Sequence, residues 1–201
     1  MIPMVVNTGR LVLKIENESK AQEVLNLYLR NREIFEQYEP TRPSNFYSSE
    51  YHRQSLSREY KMFTQGSFVR YYIYSTTNSS RIIGAVNFNL MRDSKIHYTD
   101  PNFFNMYKDS PYTFAEIGYK LDLLYQGQGL AYEACKASID IVAEEFNLNR
   151  FDARIHPDNQ PSIKLATRLN FKPLCFEPQS ANIMGKNVDL IRYSLNTSST
   201  Q

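Results

Sequence analysis

The sequence predicts a mixed α/β fold in a single domain, and three observations carry that reading. At 201 residues and 23.5 kDa the chain has the length of one ordinary globular domain. Surface scaling lets a chain of this mass bury about 70% of its extended surface, so neither disulfides nor a metal is needed for stability. Strand-like alternation outnumbers helical periodicity, and the central part runs strand, helix, strand, helix, strand.

The elements follow in order. Residues 1–9 read as a loose lead-in and 196–201 as a flexible tail, which leaves 10–195 as the domain. Leu11, Leu13 and Ile15 alternate on one face and predict a strand over 10–15. Asn17 suits the N-cap of a helix bearing Ala21, Val24, Leu25 and Tyr28, and the two prolines of 39–45 end it. Tyr51, Leu56, Tyr60 and Phe63 predict a second helix over 49–64. Residues 69–74 and 81–90 predict an antiparallel hairpin joined by the five-residue loop 76–80. Segment 93–111 is polar and aromatic without clean periodicity. A strand over 114–121 runs into a glycine pair. Leu130, Ala134, Cys135, Ser138, Ile139 and Val142 then mark one face of a helix of about five turns. A short strand over 150–155, a short helix over 160–169 and two strands over 171–176 and 188–195 complete the chain.

Composition excludes several function classes. Lys and Arg total 23 against 21 Asp and Glu, a net charge of +2, so no basic face points to a nucleic-acid partner. No apolar run is long enough to span a membrane, and the first six residues are too short for a signal peptide. Cys135 and Cys175 have neither metal-ligand spacing nor a disulfide framework, which suits a reducing cytoplasm. Glycine is scarce at 7 residues, and Gly118, Gly127 and Gly129 are crowded together. Such clustering signals a backbone requirement.

The candidate site starts there. In Tyr125-Gln126-Gly127-Gln128-Gly129-Leu130-Ala131, glycines between a strand and a long helix let the backbone turn sharply and point N–H groups outward. With the positive end of the helix dipole, those groups form an anion site. A plain strand-to-helix turn is the competing reading. The segment is not a P-loop, because no Lys-Ser or Lys-Thr follows, and it lacks the third glycine of a dinucleotide fingerprint.

Further motifs surround it. Glu116-Ile117-Gly118-Tyr119-Lys120-Leu121-Asp122 precedes the loop, and Arg154-Ile155-His156-Pro157-Asp158-Asn159-Gln160-Pro161-Ser162 and Leu169-Asn170-Phe171 follow it. Phe35-Glu36-Gln37-Tyr38-Glu39-Pro40 stands near the front and Met184-Gly185-Lys186 near the end. In this order the motifs resemble the RimJ/RimL-type branch of the GNAT superfamily of N-acetyltransferases, over nearly the whole chain. The resemblance implies a GNAT-like fold whose sheet is mostly antiparallel, flanked by helices and splayed at the cofactor-binding strand. It also implies acetyl-CoA as co-substrate, with no metal. Tyr119, Lys120 and Leu121 would offer backbone groups to the pantetheine arm. Gln126, Gly127, Gln128, Gly129, Leu130 and Ala131 would wrap the pyrophosphate. Asn159 would hydrogen-bond the pantetheine arm while also capping a helix, and Ser162 would sit near the sulfur.

The reaction so implied needs a neutral amine, donors for a carbonyl oxygen gaining charge and a partner for the departing thiolate. An α-amine, with a pKa near 8, is already partly neutral, so a strong base is optional. Many superfamily members carry a tyrosine where this chain has Ala166, which favours Ser162 as the group that meets the thiolate. Glu116 and Glu39 are the candidate carboxylate bases, ahead of His156. Asn170 replaces the family's glycine, and asparagine is the residue best able to keep a left-handed helix end. Segment 93–111, with Tyr98, Phe103, Phe104, Met106 and Tyr107, is either a lid or wall of the acceptor site or a local hydrophobic cluster. The implied acceptor is a protein N-terminal α-amine of the ribosomal-protein kind. A small amine (a polyamine or an amine-bearing antibiotic) and a catalytically weak acyl-CoA sensor are the alternatives. A peptide needs an open groove flanked by the segments 36–40 and 93–111, whereas a small amine favours a closed acidic pocket. Monomer and homodimer both remain open.

Overall fold

The computed structural model of the chain describes residues 1–91 and 114–197, so the aromatic segment 93–111 lies outside the described residues. Eight strands form one sheet: β1 (Val5–Asn7), β2 (Leu11–Lys14), β3 (Phe68–Ser75), β4 (Asn78–Met91), β5 (Phe114–Leu121), β6 (Arg150–Ile155), β7 (Lys172–Ile183) and β8 (Lys186–Asn196). Their order is β1-β2-β3-β4-β5-β6-β8-β7. Every pairing is antiparallel except that of β5 with β6. The helices are α1 (Ala21–Arg30), α2 (Arg32–Glu36), α3 (Ser49–Thr64), α4 (Leu130–Phe146) and α5 (Gln160–Arg168).

Two hydrophobic layers hold the sheet. On one face Val86, Phe88, Ala115, Ile117, Phe151 and Ala153 pack with Ala134, Cys135, Ile139 and Val142 of α4. On the other, Tyr72, Tyr74, Ile82 and Ala85 pack with Val24, Leu27 and Tyr28 of α1, Phe46, and Leu56 of α3. Side chains alternate along β5. Tyr119 therefore joins the α4 layer, while Glu116, Gly118 and Lys120 face the α1–α3 side.

Local chemistry explains the helix ends. The Ser48 hydroxyl accepts the Tyr51 N–H at 3.2 Å to start α3. Asn170, at φ 70°, ends α5 in the left-handed region. The Asn170 N–H donates to the Thr167 carbonyl and the Phe171 N–H to that of Ala166, both at 3.0 Å, which is a Schellman closure. Asn147, at φ 50°, ends α4 in the same region.

Three expectations change. The lead-in is not loose, since β1 pairs with β2 and the Tyr71 hydroxyl donates to the Pro3 carbonyl at 2.9 Å. Three residues are too few to show alternation. The hairpin turn is also tighter than a five-residue loop, because Ser75 pairs with Asn78 and the extra residues are taken up by a register shift beyond Tyr74. Finally, β7 and β8 run to the Met184-Gly185 turn, well beyond the strands expected.

Asp122, 2% exposed, ends β5. Its carboxylate accepts from Arg30, from Arg81 at 3.2 Å and from the Leu124 N–H at 3.1 Å. Burial alone would raise this carboxyl, but the Arg30 hydrogen bond and charge and the Leu124 N–H hold it below the usual range. Its contribution to stability is thus present above the unfolded value of about 3.9 and lost as pH falls through the lower folded value. Asp122→Ala should cost about 2–3 kcal/mol in urea unfolding at pH 7, with the difference shrinking in strong acid.

Candidate active site

The site is built where β5 and β6 part. They pair only at Ala115–Phe151 and Glu116–Asp152. Beyond that point β5 stays on β4 through Leu121, and β6 stays on β8 through Ile155. Among the described residues no strand pairs with the β6-facing edge of 117–121, which leaves a wedge for a ligand that can use backbone hydrogen bonds.

One rim of the wedge is a glycine turn at the start of α4. Gly127 and Gly129 have φ 74° and 75°, the left-handed region that favours glycine. The N–H groups of Gly127, Gln128, Gly129, Leu130 and Ala131 have no hydrogen-bond partner among the described residues. The Gln126 side chain donates to the Leu121 carbonyl at 2.9 Å, tying the loop to the end of β5. Arg10 donates to the Gln128 carbonyl at 2.9 Å and to Glu133 at 2.7 Å, bracing the loop from β2. A cavity of about 710 Å³ beside the loop is lined by Arg10, Gly129, Tyr132, Lys136 and Arg168 among others. The Arg168 guanidinium lies 4.3 Å above the Tyr132 ring. Arg10 and Arg168 stand far from the glycines in the sequence, and nothing local marked them as their neighbours.

The other rim is the start of α5. The Asn159 side chain accepts the Ser162 N–H at 3.1 Å, the capping role expected for it. The Tyr119 hydroxyl lies 2.9 Å from Ser162 Oγ and donates to the Ser162 carbonyl at 3.1 Å. Burial pushes the Tyr119 hydroxyl up, although the Ser162 hydrogen bond acts the other way. It stays protonated, and the two hydroxyls form a neutral pair across the wedge. Sequence reasoning assigned Tyr119 only its backbone; that its ring reaches Ser162 depends on the wedge geometry.

On the opposite face the carboxylates are paired. Glu39 accepts from Lys120 Nζ at 2.7 and 2.8 Å and pairs with Arg42. Burial lowers Lys120 to about 8, although Tyr28, 2.9 Å from its amine, opposes the shift. Asp152 accepts from Arg150 at 2.7 Å and Arg192 at 3.2 Å, and Glu177 from Arg154 at 2.8 Å and Arg192 at 2.6 Å. Glu116 has the loosest partner, Arg192 at 3.7 Å. Burial raises its carboxyl despite Arg154 and Arg192. The Asn87 amide lies against Gly118, where a Cβ would come within 3.0 Å of it. His156 Nδ1 accepts the Asp158 N–H at 3.1 Å.

Residues 10–172 match the family model described as Acetyltransferase (GNAT) domain. The chain belongs to this acetyltransferase family. It is 38% identical over 81 residues to the uncharacterized N-acetyltransferase p20 of Bacillus licheniformis, a match spanning 40% of this chain and 46% of that protein. Over 169 residues it is 28% identical to the [ribosomal protein uS5]-alanine N-acetyltransferase of Escherichia coli strain K12, covering 83% of this chain and 77% of that one. The fold matches the RimL ribosomal L7/L12 α-N-protein acetyltransferase solved in complex with coenzyme A, with a TM-score of 0.76 and 24% identity. That match covers 98% of this chain and 97% of the other. The GNAT fold is therefore present, as one open eight-stranded sheet with helices.

Gly129→Val should reduce acetyl-CoA affinity at least about tenfold in calorimetric titration. A β-branched residue is strained by about 1–3 kcal/mol at this φ, so the loop must leave its turn.

Proposed function

We propose that this chain is an acetyl-CoA-dependent N-acetyltransferase whose acceptor is a primary amine, of the class presented by a protein N-terminus. The observation that carries this reading is the parted edge of β5, set between a glycine-turned helix start and the Ser162 hydroxyl. These residues fit acetyl-CoA: the free N–H groups of residues 127–131, with Arg10, Lys136 and Arg168, suit its phosphates, and the edge of residues 117–121 suits its amide-bearing arm. The relatives that act on ribosomal proteins support the acceptor class, and the paired carboxylates weigh against a polyamine. The two unbonded cysteines suit a cytoplasmic setting.

When bound, acetyl-CoA supplies the activated acetyl group; the chain's own residues do the rest. Those backbone N–H groups of residues 117–121 that point away from β4 would face the carbonyl oxygen as it gains charge. The Ser162 hydroxyl hydrogen-bonds the leaving sulfur. A serine hydroxyl is a weaker acid than a thiol, so this bond stabilises the charge without the serine losing its proton. Tyr119 holds that hydroxyl in place. Glu116, at the apex of the wedge on the acceptor face, takes the proton that the attacking amine releases. Its raised carboxyl suits that task better than an ordinary one. Glu39, held by two cations, has its oxygens engaged and is assigned to positioning.

Mass spectrometry of products from a free-N-terminal peptide tests the reading, and acetylation confined to small metabolites would overturn the acceptor class. Ser162→Ala should lower kcat about 10²-fold with acetyl-CoA affinity little changed. For the native enzyme kcat should rise with pH as Glu116 ionises, over a limb above the ordinary carboxylate value of about 4.3. Glu116→Gln should remove that limb.

A further inference from the structure

The face of the sheet that carries Glu116 continues across β6, β8 and β7 as a row of charges. Glu116 and Asp152 form the last pair of β5 with β6. Arg150 and Arg154 stand two residues to either side of Asp152, on the same face. Arg192 of β8 lies directly opposite Arg154. Two like charges facing each other across an antiparallel pair repel, so this placement needs a compensating group. Glu177 of β7 supplies it. One of its oxygens accepts from Arg154 Nε at 2.8 Å and the other from Arg192 Nε at 2.6 Å.

Arg192 is the pivot of the row. While Glu177 holds its Nε, its Nη1 donates to Asp152 at 3.2 Å. Asp152 is fully buried, and Arg150 fixes it in turn through two donors at 3.0 and 2.7 Å. The guanidinium is therefore pinned at two corners, one by each neighbouring strand. The same Nη1 lies 3.7 Å from Glu116, near enough for its charge to act and too far for a hydrogen bond. That distance matters to a base. A carboxylate bonded to a cation has its lone pairs engaged, as those of Asp152 and Glu177 are. A buried carboxyl with no cation nearby favours its protonated form and cannot accept. Glu116 stands between these two conditions.

We propose that Arg192 is the positioning residue of Glu116: pinned by Asp152 and Glu177, it keeps the Glu116 carboxylate ionised at the apex of the wedge without occupying it. The inference rests on Glu116 as the base of the proposed acetyl transfer and adds the groups that govern it. Among the described residues, the charged groups acting on Glu116 are Arg154, Arg192, Glu177 and Asp152, and β4 sets the uncharged Asn89 opposite it. The two arginines lower its carboxyl and the two carboxylates raise it. Removing Arg192 takes away a positive charge, which raises Glu116. Removing the charge of Glu177 takes away a negative one and frees Arg192 Nε, and both effects lower Glu116.

Carboxyl-carbon NMR of the cofactor-free chain, with Glu116→Gln used to assign the Glu116 signal, follows this titration directly, and kcat against pH follows its consequence. Arg192→Met should move the Glu116 midpoint and the acidic limb of kcat up by about one pH unit, a loss of about tenfold in rate on that limb. Its acetyl-CoA Kd should stay within about twofold of native. Glu177→Gln should move both the midpoint and the limb the opposite way, by about half a unit. Arg192→Lys keeps the charge and should stay within about half a unit of native, which separates loss of charge from loss of packing. Midpoints unmoved in Arg192→Met and Glu177→Gln, or moved the same way in both, would overturn the proposal. If Arg192→Met fails to fold, Glu177→Gln decides alone, and an unmoved or raised midpoint there overturns it. A Glu116 midpoint that moves as stated while kcat shows no limb would uphold the hold of Arg192 on Glu116 and overturn Glu116 as the base.

Discussion

The rest of the site depends on the brevity of one strand pairing. β5 and β6 share two residue pairs and then separate, each kept straight by an antiparallel neighbour on its far side. A parallel pair is slightly weaker per residue than an antiparallel one. Five residues past the last β5–β6 pair, opposite Leu121, the sheet also crowds on the β4 side. At Gly84 an added Cβ would lie 2.4 Å from the Lys120 carbonyl, a closeness only glycine permits. An unpaired strand edge in a sheet interior is costly unless something hydrogen-bonds it. That standing demand is what the cofactor can meet.

Bridges from distant parts of the chain keep the wedge from closing or collapsing. Tyr119 reaches Ser162 on the α4 side, and Glu39, Tyr38 and Thr41 reach Lys120, Asp158 and Asn182 on the other. Arg10 and Glu133 brace the glycine loop from β2. The open edge of β5, the Ser162 hydroxyl and the Glu39–Lys120 pair therefore share one frame. Glu39 and Glu116 show how environment divides two carboxylates: one is immobilised by cations, while the other is left loosely paired and raised by burial.

Much of this was legible in the sequence, for definable reasons. Helices α3 and α4 and strands β5 and β6 follow from periodicity over six or more residues, and Asn170 as a left-handed helix end follows from its chemistry. The glycine pair was legible because a backbone requirement writes itself into residue type. What was not legible depends on contacts between distant segments. β1 is too short to alternate, and α2 is little more than one turn, lying ahead of Pro40 and Pro43. Arg10 and Arg168 gave no local sign that they meet Gly129, nor Thr41 that it meets Asn182. Glu39 and Glu116 looked alike as candidate bases, because the lysine that engages one of them lies on a remote strand.

Hydrogen exchange of the main-chain amides, followed with and without acetyl-CoA, tests the central claim most directly. Slowed exchange at residues 117–121 and 127–131 on adding acetyl-CoA, with β1 and β2 unchanged, is the predicted result. Unchanged exchange at both segments under saturating acetyl-CoA would contradict the assignment of the parted edge and the glycine loop as the cofactor's seat.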